Sequence, residues 1–501
     1  MEFPVTGLMI LTVAVWFFFF KPRLLYAAMI ASFPFTATAV VNFAVTGGSS
    51  LEIGRSPEKT ITALELFSML WVLREVVSRT PPWHKRGWFL TRRARFWLLA
   101  FLGAFALSFC VPLIVSGTAR TISFVAAGGN YFVATVPLRF SWYYVTQFTY
   151  LLFAVTLTLL IAAENWHPEK LLYTLRVYVC TCLFVAGWGL FEFWCIITAH
   201  AYPSYIFNTG KNLSAMGYLQ TISARGLTWR RVASVAAEPR SMAHGLLVAL
   251  TVLFVCLAFR QPILRRGWNW IAIALVSAAL TVSTSTTAYV GMFAAPILVS
   301  ITLLHARKCQ WKYYAGAAFA AVVAAVLLTE RLPLFNSLVS FLLLYKYSGM
   351  NSGATRLSAD VVAAQTFLHH PILGVGSPAV QSNDLAFVIL VHSGLVGLAA
   401  FTFFLLPVFR SLWQSSSRGS FSAVLIVPLL LWSLIDAEGG GMSWLLSTFW
   451  LVLGIAAGAA AAAKIELAAR PAAIPEGESR RCRTTSVGRN ASSQPIGSLA
   501  P

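Results

Sequence analysis

Long runs of apolar residues, separated by short polar segments, dominate the chain. A helix of roughly 20 residues rises 1.5 Å per residue and crosses about 30 Å of hydrocarbon. The two-residue alternation of a membrane barrel strand is absent, so the pattern predicts an all-α fold, a polytopic bundle of about 12–13 transmembrane helices. Thirteen candidate spans cover residues 4–20, 24–45, 61–77, 96–116, 142–163, 171–199, 241–259, 268–284, 286–304, 313–328, 385–409, 420–436 and 444–463.

Composition agrees with this pattern. The chain is 58% hydrophobic and 11% charged, with a mean hydropathy of +0.73. Soluble domains are about a quarter charged, so a set of water-soluble domains is excluded. We therefore predict one integral membrane domain over residues 1–464. The remainder, 465–501, is poor in large apolar residues and is predicted to be a disordered cytoplasmic tail.

The positive charge is distributed unevenly along the chain. The net charge of +20 could suggest a nucleic-acid partner, but in a membrane protein the loops that carry it indicate orientation. With the N-terminus outside, the inner segments hold 23 Lys and Arg and the outer segments hold 12. Basic residues favour the cytoplasmic side, so we predict an outer N-terminus and an inner C-terminus.

Two outer loops, 200–240 and 329–384, are the longest and the most basic of the outer segments. Cations on the disfavoured side suggest that these loops bind an anion. The alternative is that long translocated loops do not follow the charge bias.

The segment Gly353–Gly397 is polar and rich in glycine, with apolar spans on both sides. It holds two of the three aspartates and three of the eight histidines. Residues Leu357–Leu368 have a helical pattern that should end at His370, because proline at 371 disfavours helix at the residue before it. Asp384 stands at an N-cap position for the next span.

Several residues of this segment are candidates for chemistry. An interfacial helix followed by the flexible glycines Gly374 and Gly376 would hold Arg356, His370 and Asp384 over one pocket. Each residue also has a structural explanation: His370 can end a helix, and Asp384 can cap one.

The 200–240 loop supplies a second group of candidates. Arg225, Arg230 and Arg231 carry planar guanidinium groups that can grip phosphate oxygens in pairs. Glu238 precedes a proline suited to the first helical turn, where the helix dipole would stabilise its carboxylate. The alternative is an ordinary loop with a capping glutamate.

Hydroxyl side chains cluster at the break between the spans 268–284 and 286–304. Ser285, Thr286, Thr287 and Tyr289 could hydrogen-bond a sugar or phosphate. More often such hydroxyls satisfy free backbone groups in membrane helices. Within the spans, Glu65 and Glu192 lie in the outer half and could face the same pocket.

The sequence lacks the usual motifs for metal and nucleotide chemistry. It has no DxD pair, no HExxH, no Walker A loop and no GxSxG elbow. We therefore expect no metal and no cofactor at this site.

Three pieces of the chain together resemble the O-antigen ligase/polymerase superfamily of bacterial glycan assembly. The family element R-x-x-G-x-x-x-(E/N)-P reads here from Arg231 to Pro239, with Ser234 at the glycine position. A Ser/Thr-rich turn corresponds to Ser285–Tyr289. The pattern R…HP-(I/L)-x-G-x-G…(H/D)-N…G-L-x-G begins at Arg356, continues through His370-Pro371-Ile372-Leu373-Gly374-Val375-Gly376 and Asn383-Asp384, and ends with Gly394-Leu395-Val396-Gly397.

The resemblance implies a metal-independent membrane glycosyltransferase with a GT-C-like fold in the bacterial inner membrane. Its reaction would transfer glycan from a polyprenyl-diphosphate-linked oligosaccharide to an acceptor sugar hydroxyl. The arginines would bind the diphosphate, and Asp384, Glu238 or His370, in that order, would accept the hydroxyl proton. A chain-length regulator and a flippase would be its partners, and nucleic acid would not.

One departure from the family pattern bears on the activity. Ligases of the family carry a histidine where this chain has Asn383, and the neighbouring acidic residue resembles the polymerases. The sequence thus favours a polymerase. A ligase that attaches finished glycan to lipid A core or protein, and a polysaccharide flippase or exporter, remain alternatives.

Overall fold

The fold is a bundle of helices joined by loops that carry short hairpins. The computed structural model describes residues 2–44, 58–77, 90–114, 120–127, 130–138, 140, 142–210, 221–224, 227–261, 263–265, 267–306, 352–376, 382, 384–438 and 448–469. Within these ranges the helices are α1 (Val5–Phe20), α2 (Pro22–Ser32), α3 (Ala63–Val77), α4 (Arg92–Ile114, irregular at Phe109), α5 (Trp142–Glu164), α6 (Pro168–Ile197), α7 (Pro239–Ala258), α8 (Trp268–Val282), α9 (Thr286–His305), α10 (Ser352–His369), α11 (Leu385–Ser417), α12 (Phe421–Asp436) and α13 (Thr448–Ala468).

Seven of these helices, α4, α5, α6, α7, α9, α11 and α13, are long and apolar enough to cross a membrane. Three shorter apolar helices, α1, α8 and α12, run beside them. Large apolar side chains such as Phe19, Leu99 and Ile197 are exposed on the outside of the bundle, as expected for a surface in contact with lipid. The protein is a multi-pass helical membrane protein.

The centre of the bundle is formed by α7, α12 and α13. Nearly every residue of α12 is buried, and α7 is the most completely buried of the long apolar helices. α13 packs closely on α5 because Gly454 and Gly458 lie against the backbone carbonyls of Thr158 and Ala162. Small residues allow such close backbone approach where the hydrophobic effect does not hold helices together.

Most predicted spans agree with the observed helices, including the break between α8 and α9. The predicted span 24–45 is wrong. α2 ends at Ser32, just before Phe33-Pro34, and proline both lacks an N–H and disfavours helix at the residue before it. The chain then enters a strand, Ala39–Ala44. The predicted span 313–328 lies outside the described residues.

Strands were not expected, yet three antiparallel hairpins occur in the loops. β1 (Ala39–Ala44) pairs with β2 (Glu58–Thr62), β3 (Arg120–Ala127) with β4 (Asn130–Pro137), and β5 (Thr221–Ala224) with β6 (Leu227–Arg230). The 200–240 loop thus carries a hairpin in its described part, although the fold was predicted to be all-α. The 329–384 loop carries the predicted helix as α10.

Segments that we assigned to the same face contact one another. At the predicted outer face, the backbone of Glu2 bonds to that of Asn42, and the Asn42 amide donates to the Thr209 carbonyl at 3.0 Å. At the predicted inner face, Glu466 at the end of α13 accepts hydrogen bonds from the backbone N–H groups of Phe421 and Ser422 at the start of α12.

Glu65 has a structural role at the start of α3. The Thr62 backbone N–H donates to the Glu65 carboxylate at 2.7 Å, and the Glu65 backbone N–H donates to the Thr62 hydroxyl at 3.3 Å. This reciprocal pair is a capping box. It accounts for a carboxylate that we had expected to face the pocket.

Candidate functional site

A break in α11 receives the glycine-rich segment that follows α10. Gly394 has φ 64° and ψ −163°, which is not helical, although α11 continues on both sides of it. The N–H groups of Val375 and Gly376 donate to the carbonyls of Val391 and His392 at 2.8 and 3.1 Å. In return, the N–H groups of Leu395 and Val396 donate to the carbonyls of Pro371 and Ile372 at 2.9 and 3.3 Å. We call residues 370–376 and 391–396 the glycine interlock.

Three glycines make the glycine interlock sterically feasible. Gly374, Gly376 and Gly394 all have φ between 59° and 65°, a conformation that side chains disfavour. A Cβ atom on Gly376 would lie 2.6 Å from the carbonyl oxygen of Ser108, next to the irregularity of α4 at Phe109. Cβ atoms on the other two would overlap the facing backbone within the interlock. Both predicted glycines therefore serve a close backbone approach.

α10 leads into the glycine interlock and separates two candidates that we expected to share a pocket. Arg356 lies in the second turn of α10, and His370 follows its end. A rise of 1.5 Å per residue places them about 20 Å apart along the helix. The prediction that Arg356, His370 and Asp384 stand over one pocket is therefore wrong. The side chain of Arg356 lies outside the described residues.

Asp384 is associated with α10 near Arg356. It is the N-cap residue of α11, as predicted, and its backbone N–H donates to the Ser382 hydroxyl at 3.1 Å. That hydroxyl donates to the Asp360 carboxylate of α10 at 2.7 Å. Asp384 thus approaches the half of α10 that contains Arg356, whereas His370 belongs to the glycine interlock. Asn383 lies outside the described residues.

The loop between β6 and α7, residues 231–238, which we call the arginine loop after Arg231, is held by a buried carboxylate. Glu192 of α6 is fully buried and accepts the backbone N–H groups of Ala233 and Ser234 at 3.1 and 2.7 Å. The Arg230 guanidinium lies 4.0 Å from the same carboxylate. Ser234 has a φ of 56°, in the left-handed region that favours glycine. Glu192 is thus a structural anchor for this loop.

The other end of the loop is held by a second buried carboxylate. Glu238 is the N-cap residue of α7 and Pro239 its first residue, as predicted. Asp436, the last residue of α12, pairs through Oδ1 with Arg240 at 3.1 Å and through Oδ2 with Nδ1 of His244 at 2.6 Å. All three side chains are largely buried. Charges of opposite sign and hydrogen bonds offset the cost of removing such groups from water.

Arg231 lies between these two anchors and near the Ser/Thr turn. Its guanidinium is within electrostatic range of the Tyr289 hydroxyl. The Tyr289 hydroxyl donates to the Thr281 carbonyl at 2.8 Å, which ties α9 to α8. Ser285 is the N-cap residue of α9, and Thr286 and Thr287 form its first turn. The structure therefore brings Arg231 together with the predicted turn, and Arg225 lies outside the described residues.

Glu438 connects the arginine loop with the start of α11. The Glu438 carboxylate accepts the Ala386 backbone N–H at 3.3 Å. Ala386 lies two residues after Asp384, and Glu438 lies two residues after Asp436. Burial raises the pKa of Glu438, while the Ala386 N–H partly lowers it. The hydrogen bonds described above thus bring Asp384 towards the α7–α12 end of the bundle, and none of them joins His370 to it.

Three residues of this region were missed from the sequence: His244, Asp436 and Glu438. Arg240 and His244 stand four residues apart, which places them on one face of α7. The chain has only three aspartates, of which Asp436 is one. In such a chain, two basic side chains on one face of an apolar helix were a usable signal for a pairing with a buried acid. Nothing in the sequence indicated which acid would pair with them.

Among the described residues, no group of three or more His, Cys, Asp or Glu side chains could hold a metal ion. The described residues of the site include arginines and carboxylates. Arginine forks bind phosphate oxygens in pairs, and a nearby carboxylate can accept a proton.

Comparison of the sequence with protein-family models and with curated proteins finds no match.

The glycine interlock predicts a large effect of Gly394→Ala. The substitution forces a left-handed conformation on alanine and overlaps the Ile372 backbone, so we expect a loss of more than about 2 kcal/mol in unfolding free energy. Thermal unfolding of the detergent-purified protein measures it. Gly187→Ala in α6, where a Cβ atom meets nothing within 4 Å, is the matched control and should be neutral or slightly stabilising. Equal melting temperatures for both variants would contradict the interlock.

The Asp436 anchor predicts non-additive substitutions. Asp436→Asn leaves Arg240 buried without its counter-charge and should cost about 3–5 kcal/mol. Arg240→Met in the same chain removes the stranded charge and should recover part of that loss. Thermal unfolding of the two single variants and the double variant gives the coupling energy. Strictly additive losses would show that the two side chains do not interact.

The environment of His370 predicts a pH effect on stability. Burial, and secondly the neighbouring His369, lower the pKa of His370 below its ordinary value. The folded state therefore takes up its proton less readily than the unfolded state. The resulting stability is present above the unfolded pKa of about 6.5 and is lost as the pH falls through that value. His370→Gln should reduce the fall in melting temperature between pH 7.5 and 5.5, whereas His167→Gln is the control. An unchanged fall would contradict this account.

Proposed function

We propose that the protein is a metal-independent membrane glycosyltransferase that polymerises lipid-linked polysaccharide repeat units. In this proposal it belongs to the O-antigen ligase/polymerase superfamily and has a GT-C-like fold in the bacterial inner membrane. Its donor is an oligosaccharide on a polyprenyl diphosphate, and its acceptor is a sugar hydroxyl on a second lipid-linked unit.

The observation that carries the proposal concerns the residues of the resemblance. Gly374, Gly376 and Gly394 stand in the family pattern, and each has a left-handed φ at a close backbone contact. Ser234, at the position where the family has glycine, also has a left-handed φ, of 56°. Motif letters that resemble a family by chance would have no reason to fall on positions that require glycine geometry. The agreement supports the alignment on which the proposal rests.

The arrangement of charges supports the donor. Arg231 is positioned by a loop whose two ends are anchored by buried acids, beside the hydroxyl-rich start of α9. A fixed guanidinium in such a place can stabilise the negative charge that develops on a departing diphosphate. Preorganisation matters here, because a cation that need not move during the reaction incurs no reorganisation cost.

The proposed reaction is a single displacement. The acceptor oxygen forms a bond to the anomeric carbon of the donor, and the bond from that carbon to the diphosphate oxygen breaks. The diphosphate leaves with the electron pair, opposite Arg231 and Arg356. The acceptor proton passes to a carboxylate, for which Asp384 is the first candidate and Glu238 the second. His370 is the weakest of the three, because it lies about 20 Å along α10 from Arg356.

One observation favours a second candidate, a polysaccharide flippase or exporter. Transporters place broken helices and buried ionisable groups at their substrate sites, and α11 is broken at Gly394. In this alternative the glycine interlock would be a hinge and the arginines a substrate path. A ligase would use the same residues as the polymerase with a different acceptor.

Deletion of the gene in its host, followed by analysis of the lipid-linked glycans, separates these candidates. A polymerase loss leaves single repeat units on the lipid carrier. Long chains stranded on the carrier would instead indicate a ligase, and units trapped on the inner leaflet a flippase. Either of the last two outcomes would overturn the proposal.

Complementation of the deletion with variants tests the arginine. Arg231→Gln should reduce polymer yield on the order of a hundredfold, the usual effect of losing one charge-stabilising donor. Arg231→Lys should restore only part of it, because lysine cannot make a bidentate contact. Arg265→Gln, on the predicted inner face, is the matched control and should leave the yield unchanged. Full polymer from Arg231→Gln would exclude Arg231 from the site.

A further inference from the structure

A cavity of about 550 Å³ opens at the predicted inner face, away from the candidate site. It lies between the starts of α2 and α6, the last turns of α3 and the end of α5. Its lining combines aromatic, acidic and basic side chains in a space of the size that small ligands occupy. The residues used below are Arg23, Tyr26, Trp71, Glu75, Glu164 and Lys170.

The base of the cavity is rigid. The Tyr26 hydroxyl is hydrogen-bonded to the Thr174 hydroxyl at 2.9 Å and accepts from the Asn165 amide at 3.0 Å. The rings of Tyr26 and Trp71 lie with their centroids 5.0 Å apart. Two elements that frame the cavity, α2 and α6, are therefore joined by buried hydrogen bonds, so the cavity is preformed.

Part of the cavity lining favours an anion. Arg23 and Lys170 stand in the first turns of α2 and α6, and both helices begin with proline. A helix N-terminus carries about half a positive charge, so two such ends add to the two cations. Backbone N–H groups at helix starts are common phosphate ligands.

Carboxylates in the same lining favour a cation. Glu75, Glu164 and Glu169 line the cavity, although the predicted inner face is otherwise rich in lysine and arginine. Lys170 Nζ lies 2.9 Å from Glu164 Oε2, so one pair is already formed. Two basic side chains and two helix ends against three carboxylates leave the cavity nearly neutral in total, with charged groups of both signs in its lining. That pattern matches a zwitterion.

The surroundings favour an amphiphile over a soluble zwitterion. Val76 and Val77 follow Glu75 at the end of α3 and are 61% and 68% exposed, and Phe20 at the end of α1 is 68% exposed. These apolar side chains are close in sequence to the lining residues Glu75 and Pro22, on a surface where contact with lipid is expected. A headgroup in the cavity could therefore keep its acyl chains on that surface.

From these observations we propose that the cavity binds the headgroup of an aminophospholipid, its phosphate towards Arg23 and the helix starts and its ammonium towards Glu75. The site is separate from the proposed glycosyl transfer and does not depend on it.

Native mass spectrometry of the purified full-length protein in mixed micelles tests the assignment. The protein is offered phosphatidylethanolamine and phosphatidylglycerol in equal amounts, and soluble glycerophosphoethanolamine in a separate titration. We expect preferential retention of phosphatidylethanolamine, with much weaker binding of the soluble compound. No preference between the lipids, or equal affinity for the soluble compound, would overturn the proposal.

Two variants that remove charges of opposite sign from the cavity should behave differently. Glu75→Gln removes a charge-assisted contact to the ammonium, so phosphatidylethanolamine binding should fall about tenfold and the preference should disappear. Arg23→Gln should weaken both lipids and keep the preference. A folding defect would not produce this contrast. Glu438→Gln, at the opposite face, is the matched control, and a preference unchanged in Glu75→Gln would also overturn the proposal.

Discussion

The constraint on which this structure depends is that a backbone inside a membrane must satisfy its own hydrogen bonds. α11 breaks at Gly394, and the break frees donors and acceptors in a buried part of the bundle. The segment after α10 supplies partners for them in pairs, two donors from one side and two from the other. The non-helical backbone at Gly394 can lie within the bundle because the non-helical segment 370–376 lies beside it and supplies its hydrogen-bond partners. The position of α10, and with it Asp384 and the outer end of the site, follows from that pairing.

Buried carboxylates provide the second level of order. Glu192 and Asp436 hold the two ends of the arginine loop from different helices, so the loop is fixed relative to both α6 and α12. Each is paired with an arginine and bonded to further groups, as a buried charge requires. The protein thus uses its scarce acids to position its cations. Arg231 lies between the anchors, within electrostatic range of Tyr289.

Features that depend on neighbouring residues could be predicted from the sequence. Proline 371 correctly indicated the end of α10, and Glu238-Pro239 the start of α7. Pro34 is an equally local signal for the end of α2, and the T-x-x-E pattern at Thr62 for the start of α3. A prediction of spans from average hydrophobicity does not register either signal. Features that join distant residues could not be predicted. The pair Arg240–Asp436 spans 196 positions, and no local pattern encodes the pairing of residues 370–376 with 391–396.

The close packing of α13 has a consequence for biogenesis. α12 reaches its final environment only when α13 is in place, because the two helices pack on each other and α12 is almost fully buried. Chains are made from the N-terminus, and the central helix α13 is the last described element to leave the ribosome. Helices that are made earlier and pack on α13 therefore expose those faces to lipid until α13 is inserted. The small Gly and Ala residues of α13 suit a helix that is inserted last, because they fit a narrow gap between helices that are already packed.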